Sequence, residues 1–401
     1  MSVPKTRFKE FNLAWEFFKI TEVADYVDYR GKTPTKTDCG VFLVTAKNVK
    51  FGFIDYNSSK EFVSDSDYFN IMSRGLPKIG DVLITTEAPL GNVANVDAEN
   101  IALAQRIIKY RGKSGKINNY FLKQLFLSDK FQKLLYEKAS GGTVKGIKGS
   151  VLHQLKINVP AIKEQQKIAD FLTSVDEKIN LLKKKKELLE QYKKGVMQKI
   201  FSQELRFKDE EGNDFPEWEE KMLGAVIIKN SRKNKSQEFS IVQSVSNKYG
   251  FINQDEYFED RRIASKDTSN YYVIDKGTFA YNPSRIDVGS LAYKEDESIS
   301  IISPLYISFY ANNEFVNDVF LLKWFTSETF IKQMNVSFEG GVRNTLSFIN
   351  LARIVIKIPC IKEQQKISDF LTALDDKIAL VEQQINKTEL WKKGLLQQMF
   401  V

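Results

Sequence analysis

One segment of this 401-residue chain occurs twice. Residues 160–201 and 359–400 align without gaps at an offset of 199, and 22 of the 42 aligned positions are identical. Self-similarity of this degree within one chain indicates that the same structural unit is built twice. The rest of the chain is therefore expected to divide into two corresponding parts, one for each copy.

Each copy of the repeat has the apolar pattern of a long helix that pairs with another helix. Large apolar residues recur every three or four positions, as in a heptad seam, which buries itself against a helix rather than a broad core. Pro160 and Pro359 are the first residues of the two copies and stand just before the predicted helices, as expected at a helix start. About 39 residues at ~1.5 Å each give a rod of roughly 58 Å. The seam residues are Ile168, Leu172, Val175, Ile179, Leu182, Leu189, Val196 and Ile200, and then Ile367, Leu371, Leu374, Ile378, Val381, Ile385, Leu395 and Met399.

The blocks before the two helices share landmarks in the same order but otherwise diverge. Each begins with Arg-Phe-Lys followed by Trp-Glu, and each carries a Gly-Gly pair near its end. We therefore predict an α+β fold with two mixed α/β domains, separated by two long helices that form an antiparallel coiled coil with pseudo-twofold symmetry. The predicted parts are a first domain at 1–158, a helical spacer at 159–202, a second domain at 203–357 and a second spacer at 358–401.

The charge and the two-part plan together favour a DNA-reading protein. A net charge of +8 and a pI near 9.0 suggest a polyanionic partner, because lysine and arginine release counterions from phosphates. Paired DNA readers place equivalent elements about one helical turn, ~34–36 Å, apart, which a rigid spacer can achieve. Because the two domains differ, we expect a split, asymmetric target with an unread gap.

The chain lacks the residues for a histidine-based catalytic triad or metal cluster. Its one histidine is His153, and its two cysteines, Cys39 and Cys360, cannot build a zinc site or a disulfide framework alone. Gly141 to Gly146 has phosphate-loop spacing, but Ile147 replaces the lysine that should follow. We expect no catalytic site, no bound metal or cofactor and no membrane segment, and a soluble, cytoplasmic protein.

Over its whole length the chain resembles the specificity subunits of type I restriction–modification enzymes. The matching segments are Pro160 to Leu172 and Pro359 to Leu371, which are similar to that family's repeated helical regions. The resemblance implies two target-recognition domains that read double-stranded DNA. It also implies that the helices dock two modification subunits, which bind S-adenosylmethionine and methylate adenine in each half-site. Restriction subunits, which are ATP- and Mg-dependent motor–nucleases, would join the same complex.

Two sets of residues are candidates for these contacts. Basic and amide side chains in predicted loops can grip phosphates or pair with bases, and glycine pairs let backbone approach DNA closely. The DNA-binding candidates are Lys47, Asn48, Arg74, Gln105, Arg106, Lys145 and Lys148 in the first domain, and Lys248, Tyr249, Arg261, Arg262, Arg285, Arg343 and Asn344 in the second. The repeated Glu-Gln-Gln-Lys run is the candidate partner-docking surface, with Glu164, Gln165, Gln166 and Lys167 in one copy and Glu363, Gln364, Gln365 and Lys366 in the other.

Three alternatives remain open at this point. The chain could serve another type of restriction–modification system that shares this plan. It could be a stand-alone DNA methyltransferase, although Asn282-Pro283-Ser284 lacks the second proline and the aromatic residue of the adenine methyltransferase motif. It could also be a coiled-coil scaffold unrelated to DNA.

Overall fold

The computed structural model divides the chain into two compact units. The structure describes residues 3–29, 33–254, 267–338 and 344–401. Unit 1 consists of residues 1–184 and 381–401, and unit 2 of residues 185–380. Each unit therefore contains one β-rich region and parts of both long helices.

Unit 1 contains three small sheets and several helices. Its sheets have the strand orders β1-β9, β2-β8-β5-β6 and β4-β3-β7. The strands are β1 (Glu16–Lys19), β2 (Ala24–Asp28), β3 (Val41–Val44), β4 (Phe62–Val63), β5 (Val82–Thr86), β6 (Leu90–Asn95), β7 (Ile101–Leu103), β8 (Ile107–Gly112) and β9 (Lys156–Val159). The helices are α1 (Ile20–Val23), α2 (Tyr68–Ile71), α3 (Asn119–Leu127), α4 (Asp129–Glu137), α5 (Gly149–Leu152) and the first part of α6 (Ile162–Phe201).

The apolar and capping residues of unit 1 explain these elements. Strand β5 is buried along its whole length, which is why it reads Val-Leu-Ile-Thr-Thr without alternation. The Asn118 side chain accepts hydrogen bonds from two backbone N–H groups at the start of α3. The Ser128 side chain accepts one hydrogen bond from a backbone N–H group at the start of α4. The aromatic residues of α3 and α4 then pack against the four-stranded sheet and the start of α6.

Unit 2 repeats this arrangement. Its sheets have the orders β10-β19, β11-β18-β15-β16 and β13-β12-β17-β14. The strands are β10 (Glu219–Met222), β11 (Ile227–Lys229), β12 (Val242–Ser246), β13 (Gly250–Asn253), β14 (Tyr272–Ile274), β15 (Thr278–Tyr281), β16 (Leu291–Tyr293), β17 (Ser300–Ile302), β18 (Ile307–Ala311) and β19 (Val355–Ile358). The helices are α7 (Asp318–Phe325), α8 (Glu328–Val336), α9 (Phe348–Arg353) and α10 (Ile361–Gln398), with short 3₁₀ turns at Leu223–Ala225 and Ile286–Val288.

Two of the three sheets correspond strand by strand, while the third has three strands in unit 1 and four in unit 2. The order β11-β18-β15-β16 repeats β2-β8-β5-β6, and the pair β10-β19 repeats β1-β9. In both units one parallel pair, β3 with β7 and β12 with β17, stands among antiparallel neighbours. The predicted α+β class and the doubled architecture are therefore confirmed.

The two long helices run antiparallel wherever they meet inside a unit. In unit 1, Lys183 of α6 lies 2.7 Å from Glu389 of α10, and Asp176 lies 2.5 Å from Lys392. As the residue number rises on one helix it falls on the other, so the predicted antiparallel pairing is confirmed. None of the described helices is both long and apolar enough to cross a membrane.

The prediction that the seam buries itself only against a helix is wrong at the helix starts. Ile168 and Leu172 of α6 join the core of unit 1 together with Phe121 of α3. Ile367 and Leu371 of α10 join the core of unit 2 in the same way. The helix starts bury more apolar surface than a two-helix seam offers, which ties each helix to a sheet system.

Candidate nucleic-acid interface

One edge of the four-stranded sheet in unit 1 collects several of the candidate basic residues. Strands β2 and β5 end there and β8 begins there, since Asp28 pairs with Ile108 and Thr85 pairs with Ile107. Arg106 stands just before β8 with φ at +73°, and its carbonyl accepts a hydrogen bond from Thr86. The exposed guanidinium of Arg106 therefore projects from a turn that is fixed by this hydrogen bond to β5 and by the start of β8.

The segment that follows the first glycine pair lies against the same edge. Gly146 forms isolated bridges with Glu87 and Ser140, and the Ile147 N–H donates to the Thr86 carbonyl at 3.0 Å. Gly141 has φ at +109°, and a Cβ there would lie 2.3 Å from a backbone oxygen, so this turn requires glycine. Lys145 and Lys148 on this segment are exposed. The structure thus brings Lys145 beside Arg106 and Glu87, whose side chains lie 3.9 Å apart.

Arg74 reaches this edge on a loop that buried polar groups anchor. Its Nη1 donates to the Asp28 carbonyl at 2.7 Å. The Tyr29 hydroxyl donates to the Gly75 carbonyl, and the buried Lys109 ammonium donates to the Leu76 carbonyl at 3.2 Å. Burial lowers the pKa of Lys109, and the nearby Asp81 carboxylate partly offsets this effect. Sequence reasoning missed these anchors, because a lysine inside a strand reads as a solvent-facing residue.

Lys47 and Gln105 stand at the carboxyl end of the parallel pair β3 and β7. The Ala104 N–H donates to the Val44 carbonyl, which places the turn with Gln105 beside the turn with Lys47. Lys47 is exposed, but Asn48 is fully buried. The Asn48 amide donates to two backbone carbonyls at 2.9 and 2.8 Å, and its oxygen accepts from Thr45. The expectation that Asn48 faces DNA is corrected, because its side chain closes its own loop.

Unit 2 also gathers exposed candidates on neighbouring loops. Lys248 and Tyr249 form the exposed tip of the β12–β13 hairpin, with the ammonium 4.9 Å from the aromatic ring. The Asn247 amide at the same tip lies 3.4 Å from the carbonyl of Val288, in the loop that also carries the exposed Arg285.

A third segment of unit 2 meets that loop. The Leu346 N–H donates to the Pro283 carbonyl at 3.0 Å, which brings the exposed Asn344 alongside. Arg261, Arg262 and Arg343 lie outside the described residues. Among the described residues, no group of three or more His, Cys, Asp or Glu side chains is arranged to hold a metal ion.

The first residue of the repeated Glu-Gln-Gln-Lys run, predicted to contact a partner, is instead buried and bonded to the domain that precedes the helix. Glu164 is 1% exposed and accepts two hydrogen bonds from Arg7, at 2.7 and 2.8 Å, and one from the Trp15 indole at 3.2 Å. The hydrogen bond to Glu164 raises the pKa of Arg7. In unit 2, Glu363 holds the equivalent arginine and tryptophan in the same way. The Arg-Phe-Lys and Trp-Glu landmarks were the sequence signal for this contact, but their partner could not be read from them.

The next residue of each run is also internal. Gln165 accepts from the Asn118 N–H at 2.9 Å and donates to the Pro160 carbonyl at 2.8 Å. Gln364 accepts from the Asn317 N–H at 2.7 Å and donates to the carbonyl of Pro359. The expectation of an exposed docking face is therefore corrected for both glutamates and for these two glutamines, because their polar atoms already join helix and domain.

The last two residues of each run keep an accessible surface. Gln166, Lys167 and Gln365 are exposed, and Lys366 is partly buried. Lys167 pairs with Glu10, and its ammonium lies 5.0 Å from the Phe8 ring. These residues remain candidates for partner contact.

Comparisons with known proteins agree with this architecture. The model of the type I restriction modification DNA specificity domain matches residues 12–191 and 216–390. The type I restriction enzyme MjaVIII specificity subunit of Methanocaldococcus jannaschii is 30% identical over 216 residues, which are 52% of this chain and 50% of that protein. The MjaIX specificity subunit of the same organism is 27% identical over 58% of this chain and 57% of that protein. The chain thus spans about half the length of these two relatives.

Solved structures share the fold over nearly the whole chain. A crystal structure of the type I restriction–modification system S subunit from M. genitalium has a TM-score of 0.60 at 16% identity, covering 100% of this chain and 99% of that one. A second solved structure, from work on the structural basis of complex assembly and conformational transition of the type I R-M system, has a TM-score of 0.54 at 17% identity. The match covers 97% of both chains. With the family model matched over two segments in one chain, this protein belongs to the type I restriction–modification DNA specificity family.

Proposed function

We propose that this chain reads a split, asymmetric DNA target, with each unit contacting one half of it. The observation that carries the proposal is that each unit gathers exposed basic or amide side chains on loops of a repeated sheet scaffold. Arg106 and Lys145 stand at the sheet edge in unit 1, and Arg285 and Asn344 stand on joined loops in unit 2. A net charge of +8 adds the long-range attraction to phosphates.

The difference between the two sets of loops accounts for an asymmetric target. Arginine pairs well with the O6 and N7 atoms of guanine, whereas asparagine pairs with adenine. Unit 1 exposes Lys47 and Arg106, while unit 2 exposes Tyr249 and Asn344. A shared scaffold with different side chains at its tips is suited to two unlike half-sites.

We further propose that the two long helices dock two modification subunits, and that restriction subunits complete the assembly. The helices carry large apolar side chains that face solvent, which a partner would cover. These are Leu181, Leu188, Tyr192, Leu380, Leu390 and Trp391. In this proposal S-adenosylmethionine, ATP and Mg bind to the partner subunits, adenine is the methylated base, and the complex is cytoplasmic.

The test is genome-wide mapping of methylated adenine in cells that express this chain with its neighbouring modification gene. We expect one bipartite motif with one methylated adenine in each half, on opposite strands. Replacing residues 203–357 by the same region of a relative should change one half of the motif and leave the other intact. A continuous motif, or a change in both halves after the exchange, would contradict the proposal.

A further inference from the structure

A groove lies at the same place in each unit, between the long helices and the turn that joins two short helices. In unit 1 the turn joins α3 to α4, and in unit 2 it joins α7 to α8. Eight lining positions correspond at the repeat offset of 199. The corresponding pairs are Leu127 and Thr326, Asp129 and Glu328, Asp176 and Asp375, Ile179 and Ile378, Glu389 and Glu190, Lys392 and Lys193, Lys393 and Lys194, and Leu396 and Met197.

In unit 1 the chain itself occupies part of this groove. The turn Phe51-Gly52-Phe53 forms one wall. The Gly52 N–H donates to the Val93 carbonyl at 2.7 Å, which fixes the turn on strand β6. A Cβ at Gly52 would lie 3.8 Å from the Lys392 ammonium and 4.0 Å from the Leu127 side chain, so the turn touches both sides of the groove. The cavity that remains has a volume of about 370 Å³.

In unit 2 the equivalent groove is open. Its volume is about 720 Å³, and its lining includes Ile331, which is 42% exposed on α8. The matching sequence in unit 2, Tyr249-Gly250-Phe251, does not line it. Instead, Phe251 packs with Val245 and its neighbours, and Tyr249 extends into solvent. The two units therefore differ at a position where their frameworks are the same.

We propose that the unit 2 groove receives a segment of the modification subunit that presents aromatic side chains on a tight turn. Unit 1 shows which chemistry this framework accepts, since its own phenylalanine–glycine–phenylalanine turn lies against the same helix positions. Apolar Met197, Ile331 and Ile378 form the floor, and the Lys194–Glu328 pair at 3.7 Å forms part of the rim. An apolar floor with a charged rim is the usual anatomy of a protein interface.

This inference rests on the proposed function and adds an asymmetry to it. Two copies of one modification subunit meet two repeated frameworks, but only the unit 2 groove can accept the aromatic turn. In unit 1 the Phe51-Gly52-Phe53 turn already stands at that position, with both rings about half exposed. The copy on unit 2 therefore makes a contact that the copy on unit 1 cannot make.

The test uses the full chain with its cognate modification subunit. Ile331→Lys places a charge in the groove, and Val336→Lys is the matched control, because Val336 lies on the same helix, is 85% exposed and is outside the groove lining. We expect Ile331→Lys to weaken binding of one of the two modification subunits by about tenfold or more. The control variant should bind both subunits as the unaltered chain does.

A photo-crosslinking amino acid at position 331 gives a second measurement that does not depend on the charge change. We expect it to capture a peptide of the modification subunit that contains an aromatic residue, while the same probe at position 336 captures none. If both subunits bind but Ile331→Lys has no effect and position 331 yields no crosslink, the groove inference is overturned while the proposed function stands. If the unaltered chain binds no modification subunit, the proposed function fails as well.

Discussion

Lys392 Nζ lies 2.5 Å from a carboxylate oxygen of Asp176, and this ion pair joins the two long helices within unit 1. The residues at the equivalent repeat positions, Lys193 and Asp375, form the same pair within unit 2. In each unit a second lysine, from a domain helix, reaches the same carboxylate: Lys123 lies 3.2 Å from Asp176. One aspartate per unit thus connects both long helices to a domain.

Removing this shared carboxylate should destabilise the chain strongly. In Asp176→Asn, Lys123 remains charged with a side chain that is 8% exposed and no anion beside it. Breaking a buried pair from one side costs about 3 kcal/mol. We expect that loss in the free energy of unfolding, measured by urea titration.

The control for this prediction is Glu389→Gln, which removes another ion pair between the same helices. The Lys183 and Glu389 side chains are about half exposed, so the loss should stay below about 1 kcal/mol. Equal losses in the two variants would show that the Asp176 carboxylate contributes no more to stability than an exposed ion pair does.

The same carboxylates should make the chain sensitive to acid. Burial raises the pKa of Asp176, but Lys392, Lys123 and hydrogen bonds outweigh burial and hold the pKa below its usual value. Asp375 behaves in the same way with its own lysines. A carboxyl group whose pKa is lower in the folded chain stabilises the fold above its unfolded pKa, near 4, and this contribution is lost as the pH falls through the folded pKa.

We therefore expect the free energy of unfolding to fall as the pH is lowered from about 5 to about 2, and to fall less in Asp176→Asn than in the unaltered chain. Urea unfolding midpoints across this range provide the measurement. Parallel pH profiles for the two proteins would refute this assignment of the acid sensitivity.

Two glycines inside the long helices should be replaceable with a gain in stability. Within the part of the chain that the structure describes, no heavy atom outside the local helix backbone lies within 4 Å of a Cβ built at Gly195 or Gly394, and neither residue has a positive φ. Alanine is favoured over glycine in a helix interior by up to about 1 kcal/mol. Gly195→Ala and Gly394→Ala should each raise the thermal unfolding midpoint.

Gly112 provides the contrasting position. A Cβ there would lie 2.2 Å from the Ile117 carbonyl oxygen, so Gly112→Ala should lower the midpoint. A loss of stability in Gly195→Ala or Gly394→Ala would contradict the expectation that these positions have room for a methyl group.

Lys145 and Asn48 should respond differently to substitution in DNA-binding assays. Lys145 is exposed on the loop beside Arg106, so Lys145→Ala should weaken binding to all sequences similarly and reduce the slope of log affinity against log salt by about one. Asn48 is fully buried and hydrogen-bonded, so Asn48→Ala should cost about 1–3 kcal/mol of folding stability instead.

Fluorescence anisotropy over a range of salt concentrations, together with unfolding curves, separates these two effects. A variant of Lys145 with unchanged salt dependence would remove that residue from the phosphate-contacting set.

The repeat made the helices and the doubled plan predictable, because heptad spacing and a gapless alignment are local properties of the sequence. Whether a polar side chain is exposed or buried was harder to predict, because this depends on contacts with residues that are distant in sequence. The repeated run predicts Glu164 and Gln165 on an exposed docking surface, yet both are buried and hydrogen-bonded to Arg7 and Asn118, which are distant in sequence. The exposure of Arg106 and Lys145 was predicted, but their meeting beside Glu87 depends on strand pairing that no spacing rule reveals.

The composition of unit 1 has a consequence for synthesis on the ribosome. Its core includes Leu396, Met399 and Phe400, which are made after all of unit 2, whereas unit 2 draws on residues 185–380 alone. Domains usually complete their folding in the order of translation, from the N-terminus onward. Here the later unit can be complete first, while part of the core of unit 1 stays uncovered until residues 381–401 have emerged from the ribosome.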